Sequence, residues 1–539
     1  LLLVSAIPAL VVAWNLGYAE LVEVTRMAPS PTGFIHLGNL YSALADERIA
    51  HRNGGVFYLR IEDTDEKRKV DGAVETIINV LRYFDIEFDE GAGFDDTDPR
   101  NAYGPYFQRQ RVEIYHTYAK SLVERGLAYP CFCTEEELDK VRAKQEEDKV
   151  LTGYYGEYAT CRNLSYEEIE ANIKAGKPYV LRLRSQGSPD KEITFVDAIK
   201  GEIKLPENIH DIVLLKKDGI PTYHFAHAID DHLMRTTTVV RGGEWLASAP
   251  IHYELFHLLG FKMPAYAHTA HLMKFDEETG GKRKLSKRKD PELSLDYYRK
   301  DGYHPYTMKV YLLTLLNSNF EEWHEKFPDK DINEFPFSVE KMNQSGALFD
   351  KDKLHNICKN ELSKLSEEEL YDFLYDWAKE NEPENVEKWF GDREKMLQIL
   401  RLYMGVGAKR RRKDLMYAKQ IFELISYFFD GESAEEMDEF KLDEDMVSKI
   451  LKSYLAKYDH NDDNSVWFNK LKEIADEHGF ASDMKAYKAN PENFKGNVSD
   501  IAEAVRIAVT GRANTPDLWT IVHIMGEEQM TERIKKHIK

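Results

Sequence analysis

The spacing of apolar residues predicts alternating strands and helices near the start of the chain. The run ELVEVTRM indicates a short strand, and apolar positions after its Pro/Gly-rich loop fit a helix over about residues 37–51. The buried-type run VFYLRIED follows, and a second helical pattern covers about residues 74–84. Strand, helix and strand in this order predict a βαβ unit and therefore a parallel sheet.

This pattern is interrupted and later resumes. Gly-, Asp- and Pro-rich loops dominate residues 91–209, with a helix predicted near 109–126 and strands at YVLRLR and EITFVD. Near residue 211 the α/β pattern returns with DIVLLKKDGIPTYHFA and TTTVVRGGEW, and a helix runs to about Leu259. A sheet that is interrupted and resumed predicts a domain inserted into a split nucleotide-binding fold.

Beyond about residue 290 the chain shows only helical periodicity, without internal repeats. Leu370, Phe373, Leu374 and Trp377 follow the i, i+3, i+4, i+7 spacing of a buried helix face. The segment from Ser366 to Glu369 has the sequence of a capping box in front of them. We therefore expect an all-α region in this part of the chain.

Composition and charge narrow the possible partners. A chain of 539 residues is too long for one core, so several domains are expected. The 94 acidic residues against 73 basic ones argue against general coating of DNA or anionic membrane, although a local patch can still bind phosphate. One such patch is KRKLSKRK, residues 282–289. Four cysteines in this length indicate a reducing compartment.

The first 20 residues are atypical, because they are apolar through Trp14 and do not begin with Met. They lack the basic leader of a secretory signal and are short for a membrane span. We expect a mis-assigned start or upstream read-through here; a genuine extension is the second explanation and a targeting segment the third.

The segment RMAPSPTGFIHLGN leaves the first predicted strand and enters its helix. In a parallel sheet that is the edge where ligands bind. Free N–H groups and the helix dipole suit a phosphate there, with Gly38 allowing close approach and His36 as a further donor. The alternative is an ordinary strand–helix turn with a capping histidine.

Charged residues also end the other predicted strands. RIEDTD brings Glu62 to the same edge, and the second half of the sheet supplies Tyr223 and Arg241. Together with Arg26 these residues match an acidic amino acid, since each arginine can bind a carboxylate and Glu62 an ammonium group. Surface salt bridges are the competing explanation.

The histidines of PTYHFAHAIDDH, His224, His227 and His232, raise the question of a metal. If that stretch is a strand, residues three apart point to opposite faces. We therefore do not expect a metal there.

These motifs resemble glutamyl-tRNA synthetases. RMAPSPTGFIHLGN is similar to that family's version of the class I HIGH motif, and KLSKR to its KMSKS motif. RIEDTD, GYYGEYATCRNL, PTYHFAHAIDDHLM and VVRGGEW also resemble the family, in its order. APSPTG favours the glutamyl over the glutaminyl branch, in which PEPNG is usual. Asn39 replaces the last His of HIGH and Leu285 the Met of KMSKS.

The resemblance implies the site residues. The glutamate contacts would be Arg26, Ala28, Ser30, Glu62, Tyr223, His227 and Arg241, although some relatives have Asn where His227 stands. The ATP contacts would be His36, Gly38, Glu244, Trp245, Lys284, Ser286 and Lys287, of which His36, Lys284 and Lys287 would be catalytic. The other cations of the charged run, Lys282, Arg283 and Lys289, are expected to face tRNA or solvent.

The resemblance also implies an activity. Glutamate and ATP, with Mg²⁺, would form glutamyl-adenylate, and the glutamyl group would pass to the 3′-terminal adenosine of tRNA for glutamate. Whether tRNA for glutamine is also charged stays open. A cytoplasmic monomer without membrane contact is expected.

The implied fold is a split Rossmann-type parallel-sheet catalytic domain with an inserted α+β acceptor-binding domain, followed by an all-α anticodon-binding region. The expected boundaries are an atypical apolar leader at 1–20, the first catalytic half at 21–101, the inserted domain at 102–209, the second catalytic half at 210–275, a stem-contact region with the KMSKS-like loop at 276–345, and the anticodon-binding region at 346–539.

Two weaker sites follow from the resemblance. Some relatives bind zinc where Cys131, Cys133 and Cys161 lie. The alternative is that these cysteines are buried free thiols. Tyr155 and Tyr158 are candidates for the fourth ligand. The second site is the basic run at Arg410, Arg411 and Arg412, which is expected to contact tRNA. The alternative is a solvated surface run.

Two other functions remain possible from the sequence. A short paralogue that glutamylates a modified tRNA base lacks an anticodon domain, so the long helical region weighs against it. A tRNA-binding protein without catalysis is opposed by the intact Arg26, His36, Glu62, Lys284 and Lys287.

Overall fold

The structure is a computed structural model that describes residues 22–31, 35–65, 70–95, 97–276, 278–286, 288–429 and 437–539. The predicted leader at 1–20 and Lys287 of the charged loop lie outside the described residues. The chain forms two compact units. The first comprises the residues up to 299 together with 308–350, and the second comprises 300–307 together with 351–539.

The strands found among the described residues all lie in the first unit. They are β1 (Val24–Met27), β2 (Val56–Leu59), β3 (Glu90–Gly91), β4 (Ala128–Cys131), β5 (Val180–Leu183), β6 (Glu192–Asp197), β7 (Gly201–Pro206), β8 (Val213–Leu215), β9 (Thr238–Gly242), β10 (Ala265–Thr269), β11 (Leu272–Phe275), β12 (Lys282–Lys284) and β13 (Ala347–Leu348).

Helices separate these strands. They are α1 (Leu37–His51), α2 (Ala73–Tyr83), α3 (Val112–Glu124), α4 (Glu135–Glu147), α5 (Tyr166–Lys174), α6 (Tyr223–Leu233) and α7 (Ala249–Leu259). Further along the chain are α8 (Leu295–Asp301), α9 (Pro305–Leu316) and α10 (Phe320–Lys326).

The parallel sheet predicted from the interrupted pattern is confirmed. Strands β1, β2 and β3 are parallel neighbours, and so are β9 and β10. The two halves meet at the edge of β1, where the N–H of Thr237 donates to the carbonyl oxygen of Val24 at 2.9 Å. The Val24 N–H donates in return to Thr237 Oγ1 at 2.8 Å. Residues more than 200 positions apart therefore join the two halves into one layer.

The intervening segment contributes to two sheets. Strands β4, β5 and β8 form an antiparallel sheet of their own. The hairpin of β6 and β7 instead extends the second half of the catalytic sheet, because β6 pairs in parallel with β10 through Asp197 and Tyr266. The end of β6 is thereby brought beside the ends of β9 and β10.

Most local predictions agree with these elements. The predicted helix at 37–51 is α1, EITFVD is β6, and YVLRLR contains β5. The strand expected through His224 and His227 is wrong, since α6 begins at Tyr223 directly after a bridge between Leu215 and Pro221. Aromatic and β-branched residues there favoured a strand, but the Gly-Ile-Pro turn ends the extended chain first.

The second unit is helical, as expected. Its helices are α11 (Lys351–Leu362), α12 (Glu367–Asn381), α13 (Val386–Phe390), α14 (Arg393–Met404), α15 (Ala418–Ile425), α16 (Glu444–Lys457), α17 (Asn464–His478), α18 (Met484–Ala489), α19 (Val498–Thr510), α20 (Leu518–Met525) and α21 (Glu527–Lys535). Ser366 and Glu369 form the predicted capping box, and Leu370, Leu374 and Trp377 are buried behind it. Among the described helices, none is long and apolar enough to cross a membrane.

Candidate active site

An open cleft of 380 Å³ lies where β1, β9 and β10 end. Ligands of parallel sheets bind at this edge, because the strand ends and the following loops converge there. The cleft is lined by most of the residues that the sequence singled out: Arg26, Ala28, Ser30, His36, Gly38, Glu62, Tyr223, Arg241, Glu244, Trp245 and Lys284. The two catalytic halves thus supply one site.

A buried network of charges forms the floor near Arg26. Arg60 Nη1 donates to Asp231 Oδ1 at 2.6 Å, and Arg26 Nε lies 3.6 Å from the same oxygen. Glu62 accepts from Arg60 Nη2 at 3.2 Å. Burial opposes the charge on Asp231, yet Arg60 and His227 hold its pKa well below the usual value. Asp231 therefore neutralises Arg60 and Arg26 together.

Glu62 is less well compensated than Asp231. Burial raises the pKa of Glu62, and the nearby Arg60 and Arg26 offset only part of that shift. An ammonium group in the cleft would favour the ionised carboxylate. The site therefore suits a ligand with a positive charge next to its anionic groups.

His227 lies behind the cleft wall and is fully buried. Its Nδ1 is 2.9 Å from Asp231 Oδ2, and its Nε2 is 2.8 Å from the hydroxyl of Tyr266. Burial lowers the pKa of His227 to about 4, so the ring is neutral. Tyr223 covers it with a stacked ring at 5.6 Å and lines the cleft itself. The structure thus separates His227 from the other predicted glutamate contacts.

Arg241 presents the other buried guanidinium, with only 6% of its surface exposed. It stacks over Tyr266 at 4.5 Å from the ring centre. Among the described residues, no carboxylate lies within ion-pair distance of Arg241, in contrast to Arg26 and Arg60. A buried cation without a carboxylate is costly unless a ligand supplies one.

The predicted phosphate side begins at α1. The His36 N–H donates to Asn39 Oδ1 at 2.9 Å, which fixes the entry into the helix. A Cβ on Gly38 would lie 3.0 Å from the His36 ring, so glycine allows that ring to pack closely. Burial lowers the pKa of His36; Glu244 opposes this shift and Lys284 adds to it. A neutral imidazole can donate one N–H to a phosphate oxygen.

Glu244 and Trp245 follow β9 on the opposite side of the cleft. The Trp245 ring lies 4.7 Å from that of Tyr223, and Glu244 Oε2 is 3.3 Å from His271 Nδ1. A Cβ at Gly242 would lie 2.3 Å from the Glu244 carboxylate, so the Glu244 side chain would have to move if Gly242 were replaced.

The charged run KRKLSKRK folds as β12 and a turn. Lys284 and Leu285 line the cleft, and Leu285 is buried. The Ser286 N–H donates to Asp290 Oδ2 at 2.7 Å, away from the lining of the cleft. Lys287 lies outside the described residues, so its predicted contact stays a prediction.

The expectation that Arg283 faces tRNA or solvent is wrong. Arg283 donates to both oxygens of Asp290, at 2.6 and 2.7 Å, and lies 3.4 Å from Asp276. Arg283 lowers the pKa of Asp290 to about 2. The pair anchors the turn after β12, so one cation of the run is structural.

The three cysteines of the inserted segment lie together. The sulfur atoms of Cys131, Cys133 and Cys161 are all within 4.8 Å of one another. Hydrogen bonds from Cys133 and Cys161 lower the pKa of the Cys131 thiol. Within the described part of the chain, no other group of His, Cys, Asp and Glu is close enough to share a metal ion.

The tyrosine beside this cluster is Tyr154, and the two proposed from the sequence are directed elsewhere. The Tyr154 hydroxyl lies 3.4 Å from Cys131 Sγ and 3.3 Å from Cys133 Sγ. Tyr155 donates its hydroxyl to the carbonyl of Leu151, and Tyr158 to Asp148. The adjacent YY pair explains the error, because sequence alone cannot say which ring turns inward.

The basic run of the helical unit borders a second cavity, of 670 Å³. Arg410 and Arg412 line it together with Arg401 and His523. Arg412 is paired with Asp414 at 2.6 Å, whereas Arg410 and Arg411 are exposed. Arg411 does not reach the cavity, so the structure separates the three predicted arginines.

Sequence reasoning missed the residues that hold the site from behind. Arg60, Asp231 and His268 are all buried, and none of them was singled out. The first two were within reach, because they lie inside the motifs RIEDTD and AIDDH. Charged residues in otherwise apolar strand and helix positions mark them as buried pairs.

The fold and the paired motifs on the two halves of the sheet define a class I tRNA synthetase. Residues 23–356 match the family described as tRNA synthetases class I (E and Q), catalytic domain, and residues 369–538 match an anticodon binding domain. The chain therefore belongs to the class I tRNA synthetases for glutamate and glutamine, which confirms the resemblance seen in its motifs.

Its relatives are consistent with this assignment. The chain is 55% identical to a glutamate–tRNA ligase from Acetivibrio thermocellus, over 95% of this chain and 93% of the relative. It is 47% identical to one from Clostridium perfringens, over 96% and 94%. A crystal structure of a glutamate tRNA ligase from Elizabethkingia meningosepticum, in complex with its amino acid, superposes with a TM-score of 0.74 and 28% identity, covering 96% of this chain and 99% of that one.

Proposed function

We propose that this protein is a glutamate–tRNA ligase. It activates glutamate with ATP to glutamyl-adenylate and transfers the glutamyl group to the 3′-terminal adenosine of tRNA for glutamate. The observation that carries the proposal is the cleft itself, in which buried Arg241 and Arg26 accompany the poorly compensated Glu62. Two cations and one anion match the two carboxylates and the ammonium group of glutamate.

Binding of glutamate would use one wall of the cleft. Arg26 and Arg241 bind its carboxylates, Glu62 its ammonium group, and Ala28, Ser30 and Tyr223 the remaining surface. Arg241 has the stronger attraction, because its charge has no carboxylate partner among the described residues. His227 then acts indirectly, by holding Asp231 and the Tyr223 ring in place.

Binding of ATP would use the opposite wall, formed by His36, Gly38, Glu244, Trp245 and Lys284. The resemblance adds Ser286 and Lys287 of the following loop as further ATP contacts. In the first step a glutamate carboxylate oxygen attacks the α-phosphorus, and pyrophosphate leaves. Negative charge grows on the phosphate oxygens, so Lys284 and the His36 N–H lower the barrier where they are already positioned. The magnesium that accompanies ATP neutralises further phosphate charge when bound.

The proposal is tested by pyrophosphate exchange into ATP with tRNA present. Exchange should depend on glutamate, and glutamine should not replace it. Exchange driven by glutamine, or none with either amino acid, would contradict the assignment. Charging of purified tRNA for glutamate and for glutamine then decides whether the second tRNA is also a substrate.

We further propose that the cysteine cluster holds a structural zinc ion. Cys131, Cys133 and Cys161 supply three sulfur ligands at the right mutual distances, and the Tyr154 hydroxyl is the nearest fourth group. The guanidinium of Arg182 lies 4.0 Å over the Tyr154 ring and would stabilise a negative oxygen there. Zinc prefers four ligands of this kind.

Replacing Cys161 with serine should remove the zinc, because a neutral hydroxyl is a weak zinc ligand. Metal analysis of the purified full chain should give about one zinc per molecule before the change and none after it. Cys358→Ser is the matched control, since Cys358 is buried in the helical unit. A native protein without zinc and with all four thiols free would contradict the site.

We also propose that the basic run in the helical unit contacts tRNA. Arg410 is the best candidate of the three, because it is exposed and borders the second cavity. Arg412 is partly neutralised by Asp414, and Arg411 does not line the cavity.

Arg410→Ala should raise the KM for tRNA and reduce its dependence on salt. Loss of one phosphate contact lowers the slope of log affinity against log salt by about 1. The KM for tRNA at several salt concentrations measures this, with Arg100→Ala in the other unit as control. An unchanged slope would identify the run as solvated surface.

A monomer in the cytoplasm is proposed on the ground of the activity alone. Light scattering on the purified chain during size-exclusion chromatography tests the first point, and a mass of twice 62.6 kDa would contradict it.

A further inference from the structure

The guanidinium of Arg241 is held by neutral rings on two sides. Its Nε donates to His268 Nε2 at 2.9 Å, and its Nη1 lies 3.1 Å from His252 Nδ1. Its Nη2 reaches the carbonyl of Trp245 at 3.4 Å. Three of the five N–H groups of an arginine are thus engaged, and one on each terminal nitrogen remains for a ligand.

The direction of these hydrogen bonds fixes the state of His268. Since Arg241 can only donate, His268 Nε2 must accept and the proton sits on Nδ1. That nitrogen is 2.6 Å from Asp197 Oδ2, which can only accept. Burial lowers the pKa of His268, although Asp197 opposes this shift, so the ring is neutral.

Asp197 is itself held firmly. Its Oδ1 accepts from the N–H groups of Ile199 and Lys200, at 3.0 and 2.8 Å, and its Oδ2 also accepts from the His268 N–H at 3.1 Å. Burial opposes ionisation, but the bond from His268 and these N–H groups lower its pKa. Asp197 and His268 are both almost completely buried, so water is excluded from the hydrogen bonds that link Asp197, His268 and Arg241.

Strand pairing brings Asp197, His268 and Arg241 together. His268 on β10 is the cross-strand partner of Arg241 on β9, and β6 runs parallel to β10 with Asp197 at its end. Asp197 therefore acts on Arg241 only through a neutral ring. A carboxylate placed directly against Arg241 would cancel the charge that a ligand needs, whereas the imidazole orients the guanidinium and leaves its charge available.

We propose that His268 and Asp197 are positioning residues for Arg241. Asp197 selects the His268 tautomer whose Nε2 accepts a hydrogen bond from Arg241. That hydrogen bond sets the plane of the Arg241 guanidinium for a glutamate carboxylate. The inference rests on the proposed function of the cleft. Neither residue touches the substrate; both act through Arg241.

Asp197→Asn tests the tautomer. The amide nitrogen of asparagine would face His268 Nδ1 and favour a proton on Nε2, so that two N–H groups confront each other at Arg241. The KM for glutamate should rise by about 10- to 100-fold, the usual cost of losing an orienting partner. The KM for ATP should change little. Both constants come from glutamate-dependent pyrophosphate exchange by the full chain with tRNA present.

Two replacements of His268 separate positioning from packing. Glutamine places an oxygen near the former Nε2 and can still accept from Arg241, whereas asparagine keeps only the donor towards Asp197. His268→Gln should therefore retain a glutamate KM closer to that of the native protein than His268→Asn. A purely structural role predicts the same order in melting temperature, because asparagine leaves the larger cavity, but it predicts no rise of the glutamate KM that the ATP KM does not share.

The matched control is Asp89→Asn, which alters another His–Asp pair of the same unit. Asp89 Oδ2 lies 2.9 Å from His51 Nε2 and accepts from the Phe57 N–H. This change should leave the glutamate KM unaltered.

The outcomes are distinguishable. If Arg241→Gln raises the glutamate KM but Asp197→Asn and His268→Asn do not, the positioning role is wrong while the glutamate site stands. If Arg241→Gln has no effect either, the glutamate site is wrong and the positioning role with it. Should Asp197→Asn fail to fold, the comparison of the two His268 variants still decides.

Discussion

Replacing Arg241 with glutamine is expected to raise the KM for glutamate by about 100-fold, because a buried ligand carboxylate would lose its charged partner. The stability of the protein should be unchanged or slightly higher. A buried guanidinium without a carboxylate partner is unfavourable in the free protein, and glutamine removes that charge. Function and stability thus oppose each other at this residue.

Steady-state kinetics and a thermal melt of the same preparation measure the two effects. Arg241→Lys is the informative companion, because it keeps the charge but loses the planar group that His268 and His252 hold. Its KM should lie between those of the native protein and Arg241→Gln. A large drop in melting temperature for Arg241→Gln, with an unchanged KM, would show that Arg241 is structural.

The second large effect is expected at Asp231. Asp231→Asn keeps the shape of the side chain but leaves Arg60 and Arg26 without their shared counter-charge. Breaking a buried ion pair from one side typically costs about 3–5 kcal/mol. For a unit of this size, with an unfolding entropy of about 2.1 cal/mol/K per residue, the melting temperature should fall by roughly 4–7 °C.

The melt should be followed by calorimetry, which resolves the transition of the unit that contains Asp231. Asp98→Asn is the control, because Asp98 pairs with Arg100 at the surface and should affect the melt little. If Asp231→Asn and Asp98→Asn melted at the same temperature, the buried network would not contribute to stability as described.

The sequence was sufficient to predict what the motifs carry directly. Arg26, Glu62 and Arg241 each follow or end a strand, and the ends of parallel strands must converge. The position of the cleft followed from that rule. The helical unit followed from apolar spacing instead, and that spacing missed the two-residue strand β13, which pairs with the distant β11.

The parts that could not be predicted depend on distant pairing. Asp197 meets His268 only because β6 leaves the inserted segment and joins β10, and no motif records this. Arg283 was predicted to face tRNA or solvent with the rest of its charge run, because the sequence does not show that the following turn brings Asp290 into contact with it. His227 was assigned to the cleft through the family resemblance, but on α6 its ring stacks behind that of Tyr223.

The central claim is that the cleft selects glutamate through Arg241 and uses it to charge tRNA. The most direct measurement is pyrophosphate exchange into ATP by the full chain, with tRNA for glutamate present, comparing glutamate and glutamine. We expect the native protein to catalyse exchange with glutamate and none with glutamine. The Arg241→Gln variant should reach the same exchange rate only at much higher glutamate concentration. Equal exchange with the two amino acids, or a native glutamate KM in Arg241→Gln, would contradict the account.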